Sequence, residues 1–259
     1  MIFTKKAQDV TSVTSIHNFN SIKDYLAARA IHIESTGAND EKYNNAALAA
    51  FAEKLASLQL KGGDPFLKYI RTSIVKKDSR CSFSIKSLTA REQEACLEIA
   101  NMLCSIGALV NATESNGVIH GRFSLESPKL VNFLNGGFCE IAIYRVAARV
   151  ISDHARSKGV DYELLPNVIT SSANEKKEYD ILLRVHNEFY VLEIKSGRNE
   201  AFPYYRQRGI ELGLYPDHQM IITSDRSDDE MSLISYFESL AIANYNTFQE
   251  KLLLMINKQ

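Results

Sequence analysis

The chain has 259 residues, 45% hydrophobic and 24% charged, with 30 Lys plus Arg against 31 Asp plus Glu and a formal net charge of -1. That composition excludes a disordered chain, a collagen-like chain and a coiled-coil rod, and it leaves enough apolar side chains for a sizeable core. The balance of charge also excludes a generally basic nucleic-acid coat, so any pull on phosphate must come from a local basic surface.

Three regions of different texture follow one another, over residues 1–78, 79–134 and 135–259. The first reads as a helical segment. A helix is expected over Ser21–Glu34 and a better one over Asp40–Leu60, where Leu48, Phe51, Leu55 and Leu58 recur at helical spacing. Lys61-Gly62-Gly63-Asp64-Pro65 is expected to stop it. In the second region Thr89, with Glu92 three residues on, fits a capping box. Leu97, Ala100, Leu103 and Cys104 make the apolar face of that helix, and Gly107 ends it. LVNATESNGVIHGRF follows, two β-prone runs about Asn116-Gly117, a strong hairpin signal. Helix then hairpin is winged-helix-like, a motif that binds duplex DNA in some proteins and serves as scaffold or dimer contact in others.

In the third region Asn135-Gly136-Gly137 opens a helix, FCEIAIYRVAARVISDHARS, which Gly159 closes. DYELLPNVIT, EYDILLRV and EFYVLEIKS read as strands, the last two joined at His186-Asn187. FPYYRQRGIELG reads as a helix, QMIITS as a strand, and the remainder as one or two helices.

The second hairpin carries the chemistry. With His186 and Asn187 as a two-residue turn, Val185 faces Glu188, Asp180 falls opposite Glu193, and Glu178 falls opposite Lys195. Alternation puts Asp180, Glu193 and Lys195 on one face and Ile181, Leu183, Leu192 and Ile194 on the other, toward the core. A one-residue slip would bury the wrong set. Opposed carboxylates repel, and a divalent ion between them would remove that cost. Hard oxygen ligands without a nearby thiolate favour Mg²⁺ or Mn²⁺ over Zn²⁺. An ammonium at Lys195 can orient a water or stabilise charge developing on phosphate.

Asp180 followed by Glu193-Ile194-Lys195, in a helix–three strands–helix–strand order, resembles the PD-(D/E)xK nuclease superfamily. The resemblance implies an α/β fold with a restriction-endonuclease-like αβββαβ core at the C-terminus. It further implies metal ligation by Asp180, Glu193 and the backbone carbonyl of Ile194, water assistance by Lys195, and a contribution from Glu140 in the first helix. Over about Thr89–Ser224, LNGGFCEIAIYRVAARV and EYDILLRVHNEFYVLEIKSG resemble segments of the CRISPR ancillary nucleases that carry a CARF sensor domain. That narrower resemblance implies a homodimer that cuts DNA or RNA, with single strands favoured, in defence against mobile elements. The first eighty residues are too few and too helical for the usual CARF sensor, so cyclic-nucleotide activation is not carried over. A regulatory partner or ligand acting through residues 1–78 is expected instead. Two other readings use the same residues: a catalytically weak binding or assembly module on a nuclease-like fold, and a duplex-DNA restriction or repair endonuclease.

The remaining polar groups have two readings each. Lys176, Lys177, Arg198, Arg206 and Arg208 flank the carboxylates and could contact phosphates or be solvated surface. Tyr204 and Tyr205 could stack a base or pack a helix. Asp225, Asp228, Asp229 and Glu230 are acidic enough for a metal, but Ser227 with Glu230 fits a helix cap better. Glu178 is expected to pair with Lys195. The four cysteines form no CxxC pair and are expected to be buried thiols in a reducing cytosol. No run approaches the roughly 20 apolar residues that cross a bilayer, and MIFTKKAQDV lacks a secretion signal's apolar stretch, so a cytoplasmic protein without a membrane partner is expected.

Overall fold

A computed structural model of the protein describes residues 19–173, 175–195, 201–224 and 226–257. The N-terminal stretch contains α1 (Ile22–Ala27), β1 (His32–Ser35), α2 (Glu41–Asn44), α3 (Ala46–Leu58) and α4 (Asp64–Lys76). The middle stretch contains β2 (Arg80–Ser84), α5 (Ala90–Ser105), β3 (Leu109–Ser115) and β4 (Val118–Phe123). Then come α6 (Pro128–Asn132), α7 (Phe138–Lys158), β5 (Tyr162–Ser172), β6 (Glu175–Val185) and β7 (Glu188–Lys195). The chain finishes with α8 (Phe202–Glu211), β8 (Gln219–Thr223), α9 (Asp228–Glu238), β9 (Ala241–Ala243) and α10 (Phe248–Ile256).

The strands form a mixed six-stranded sheet, ordered β1-β5-β6-β7-β8-β9, and a separate three-stranded sheet, ordered β2-β4-β3. In the large sheet β1 through β7 pair antiparallel, whereas β7, β8 and β9 run parallel. Both faces are covered, which is why its central strands read as nearly continuous apolar runs. Ile181, Leu183, Leu192 and Ile194 join the side chains of α3, α7 and α10 in one core. Leu182, Phe189 and Val191 pack with Tyr25 and Leu26 of α1 in another. The expected register of the β6–β7 hairpin is present, with Val185 opposite Glu188 and Ile181 opposite Leu192. His186 takes a positive φ of 52° in its turn. In the smaller sheet Ser115 pairs with Val118, and Asn116 and Gly117 both adopt positive φ, as a tight primed turn requires. Thr89 and Glu92 form the expected capping box on α5.

The N-terminal stretch departs from the expected run of helices. The helix expected over Ser21–Glu34 ends at Ala27, and His32–Ser35 is a strand that adds to the edge of the large sheet. Asn45, in extended conformation, separates α2 from α3 and caps α3 by accepting from the Leu48 amide. Pro65 does not stop a helix but starts one, in the first turn of α4. The break lies at Gly62, whose φ of 122° only glycine adopts comfortably. The tail also differs: between its two helices β9 pairs with β8. Cys81, Cys96 and Cys139 are buried as expected, but Cys104 is exposed, on the outer side of α5. Among the described residues no helix is long and apolar enough to cross a membrane.

Gly62 lets α4 fold back so that α5 packs closely over the turn; a Cβ there would stand 2.8 Å from Glu92 Cγ and 2.9 Å from Glu92 Cα. Gly62→Ala should therefore lower the unfolding free energy by roughly 1–3 kcal/mol. Gly107→Ala, where a Cβ meets nothing within 4 Å, should cost less. Urea titration of the two variants side by side measures the difference.

Candidate active site

The β6–β7 ladder stops at Ile181 and Leu192, one residue short of the carboxylates. Beyond it the Asp180 side chain takes over: its Oδ2 accepts the Ile194 amide at 2.6 Å. On the other side of β6 the β5 ladder also skips this position. Asn167, between the Pro166–Ile181 and Val168–Tyr179 pairs, has a positive φ of 47°. Asp180 thus sits at a local break in the sheet with its carboxylate pinned by main chain.

Lys195 closes a trio. Its Nζ lies 3.3 Å from Asp180 Oδ2 and 3.0 Å from Glu193 Oε2. It also lies 4.5 Å from the centre of the Tyr205 ring, which is a cation–π contact. Glu193 is the deepest member, with 4% of its side chain exposed, against 16% for Asp180 and 19% for Lys195. Arg208 of α8 approaches from behind. Its Nη1 is 3.4 Å from Glu193 Oε1, its Nη2 donates to the Glu178 carbonyl, and its guanidinium stacks 4.6 Å from the Tyr179 ring. Glu193 Oε1 itself is buried without a hydrogen-bond donor.

Burial pushes the Glu193 carboxyl up to about 7, with the Asp180 charge adding to the rise and Lys195 and Arg208 opposing it. Lys195 is pushed up as well, because the two carboxylates outweigh its own burial. Glu140, in the first turn of α7, is raised by burial and by Asp180, and lowered by Lys42 of α2, whose Nζ is 3.4 Å away. Tyr43, buried beside Lys42, has its hydroxyl raised by burial and by the charges of Glu140, Asp180, Asp40 and Glu178. The structure therefore brings Asp180, Glu193 and Lys195 together, with Ile194 tied to them through its amide. Glu140 stands at the edge of the same electrostatic field.

Several other expectations change. Lys195 pairs with Asp180 and Glu193, not with Glu178, because the ladder ends before that register position. Lys195 and Arg208 offset part of the repulsion expected between the two acids, while the Asp180 charge still raises the Glu193 carboxyl. Lys176 is bound to Glu34 at 2.5 Å, and Lys177 to Glu175 and Glu211, so these lysines have internal partners. Arg206 is half-buried, with its Nε buried and unbonded. Arg198 and Asp225 lie outside the described residues. Tyr205 meets a cation, while Tyr204 remains exposed. Asp228, Asp229 and Glu230 cap α9, Ser227 and Glu230 forming a capping box and Asp228 accepting from Asn244. Sequence reasoning missed Lys42 and Tyr43 and left Arg208 between phosphate contact and solvated surface, whereas it packs against Glu193 and Tyr179. Only the fold joins α2 and α8 to the hairpin.

No protein-family model and no curated protein matches the chain. Solved structures do resemble it. Protein VC1899 from Vibrio cholerae superposes over 90% of this chain and 60% of its own, with a TM-score of 0.58 and 18% identity. Can2 from Sulfobacillus thermosulfidooxidans, solved in complex with cyclic tetra-adenylate, superposes over 92% of this chain and 61% of its own, with a TM-score of 0.62 and 14% identity. The likeness is one of fold, and the chain spans about three fifths of the length of either protein.

Arg208→Met tests the electrostatics of the trio. Because the Glu193 carboxyl is raised, the folded state holds its proton more tightly than the unfolded chain. That contribution is fully present below about 4.5 and is lost as pH rises through about 7. Removing the guanidinium should therefore cost most above pH 7, roughly 3–5 kcal/mol for a buried pair left with one charge, and distinctly less at pH 5. Chemical unfolding in EDTA at both pH values reads it; an equal loss at both would assign Arg208 to packing on Tyr179 alone.

Proposed function

We propose that this chain is a metal-dependent nuclease that hydrolyses phosphodiester bonds of single-stranded DNA or RNA, built on a PD-(D/E)xK core and working in prokaryotic defence against mobile elements. The observation that carries the reading is the trio: two carboxylates on adjacent strands, where the ladder between them stops, both within 3.3 Å of one ammonium. The fold likeness to Can2 supports the setting. The helix α5 with the β2-β4-β3 sheet would be the winged-helix-like part, and a homodimer is proposed with it.

The donor set fits Mg²⁺ or Mn²⁺. Glu193 Oε1 is a buried oxygen without a hydrogen-bond donor; the carboxylates beside it are hard oxygen donors, and burial keeps the nearby Cys139 a neutral thiol. Among the described residues no three His, Cys, Asp or Glu side chains form a closed metal cage. Mg²⁺ does not need one, since it binds through one or two carboxylates and keeps several waters. Asp180, Glu193 and the Ile194 carbonyl would hold the ion, and Glu140 would support it or a water. When bound, it would supply Lewis-acid charge to the phosphate oxygens. Lys195 would release the carboxylates, orient the attacking water and face the charge that develops on phosphorus. Arg208 would keep Glu193 in place from behind. A partner or ligand acting through residues 1–78 would reach this site directly, since Glu140 touches Lys42 of that stretch.

The mutual neutralisation of Asp180, Lys195 and Glu193 favours one second reading, a nucleic-acid-binding or assembly module with little catalysis. Cleavage separates the two. Labelled single-stranded DNA, single-stranded RNA and duplex DNA are incubated with Mn²⁺, Mg²⁺ or EDTA. Wild type should cut a single strand in either metal and not in EDTA. Asp180→Asn and Lys195→Ala should each lower the rate about 100-fold or more. Binding without metal-dependent cutting, equal in all three proteins, would select the binding module; preferred cutting of duplex would select a restriction or repair enzyme.

A further inference from the structure

We propose that Lys42 is a substrate-contacting residue of this site, the cation that receives the phosphate backbone at its mouth; the inference rests on the nuclease reading above. The trio's own cations are committed inward. Lys195 lies between Asp180 and Glu193, and Arg208 between Glu193 and the Glu178 carbonyl, with 19% and 10% of their side chains exposed. Lys176 and Lys177 are held by carboxylates on neighbouring strands and helices. Lys42 differs in its partner: it pairs at 3.4 Å with Glu140, a carboxylate within the electrostatic field of Asp180, and the two side chains are 36% and 37% exposed, so the contact is partly open to solvent. An ammonium paired so loosely gives up little by exchanging Glu140 for a non-bridging phosphate oxygen. Glu140 is then free to turn toward Asp180.

The position of Lys42 is built, not incidental. Tyr43, next to it, is 2% exposed and packs edge-on against Tyr144 of α7 at 4.9 Å, and the Lys42 Nζ rests 4.7 Å from the Tyr43 ring. Gly37 admits that ring: a Cβ there would stand 2.8 Å from Tyr43 Cε2 and 3.1 Å from Asn167 Cβ. Asn167 in turn occupies the β5 position that faces Asp180 across the broken ladder. The pairing of β1 with β5, His32 opposite Ser171, holds the whole turn to the sheet. Tyr43 and Asn167 thus both close on Gly37, which sets the residue beside Lys42 against the strand that pairs with the one bearing Asp180. Around the site four carboxylates, Glu140, Glu178, Asp180 and Glu193, meet three cations, Lys42, Lys195 and Arg208. One divalent ion would turn that small negative excess into a positive one, and the outermost of the positive groups would be Lys42.

The test is steady-state cleavage of a single-stranded DNA or RNA oligonucleotide in Mn²⁺, over a series of salt concentrations. Wild type, Lys42→Met, Lys42→Arg, Asp180→Asn and the remote control Lys54→Met, whose lysine pairs with Glu98 on the surface, are compared. Lys42→Met should raise KM about tenfold with kcat within about twofold, as expected for one charge-assisted contact. It should also flatten the dependence of log KM on log salt by about one unit. Lys42→Arg should restore both, and Lys54→Met should change neither. Thermal melts report folding. A Lys42→Met enzyme with wild-type KM and salt slope overturns the inference, as does a loss that tracks a lowered melting temperature and is not rescued by arginine. If wild type does not cut, or Asp180→Asn cuts as well as wild type, the nuclease reading itself falls, and the two failures stay distinct.

Discussion

The structure turns on one hydrogen bond, from the Ile194 amide to the Asp180 carboxylate. Along most of β6 and β7 each amide finds a carbonyl across the strand. Where their ladder stops, a side chain does that work, and a carboxylate is fixed where a peptide group would otherwise sit. An ionised acceptor on a main-chain amide is a short, strong bond, so Asp180 keeps one orientation. Lys195 then finds two carboxylates at fixed places, and Tyr205 and Arg208 of α8 have a defined charge to pack against.

Burying such a set is costly, because charges taken out of water repay their desolvation only when every partner is well placed. Here one oxygen is left over: Glu193 Oε1 is buried with no donor, with Arg208 near it but poorly aligned. A protein selected only for stability would replace this cluster with apolar side chains of like volume. The trio lies on the two central strands of the sheet, beside the place where parallel β8 joins β7, with a separate core on either face.

What could be read from the sequence follows the range of the forces involved. The β6–β7 register is local: a two-residue turn and strict alternation of Ile181, Leu183, Leu192 and Ile194 permit one pairing, and that pairing forms. The caps at Thr89 and Ser227 are likewise local. His32–Ser35 and Ala241–Ala243 were read within helices because three or four residues carry too little periodicity to oppose their surroundings. Each becomes a strand because a sheet edge offers it hydrogen bonds. Glu178 was misassigned to Lys195 because the ladder was extended past its end, where the Asp180 side chain interrupts it. Lys42 carries no sequence signal and Arg208 none for its partner, since Glu140 and Glu193 lie 98 and 15 positions away on other elements.

The pairing of β1 with β5 joins residues nearly 140 apart, and the contact of Lys42 with Glu140 spans 98. Contacts so distant in sequence form late, after the loop between them has been closed. A polypeptide emerging from the ribosome displays Lys42 early and Lys195 far later, so the groups proposed for cutting cannot meet until most of the chain has been made. The same topology leaves the trio and the Lys42–Glu140 contact unassembled until β7 has been made.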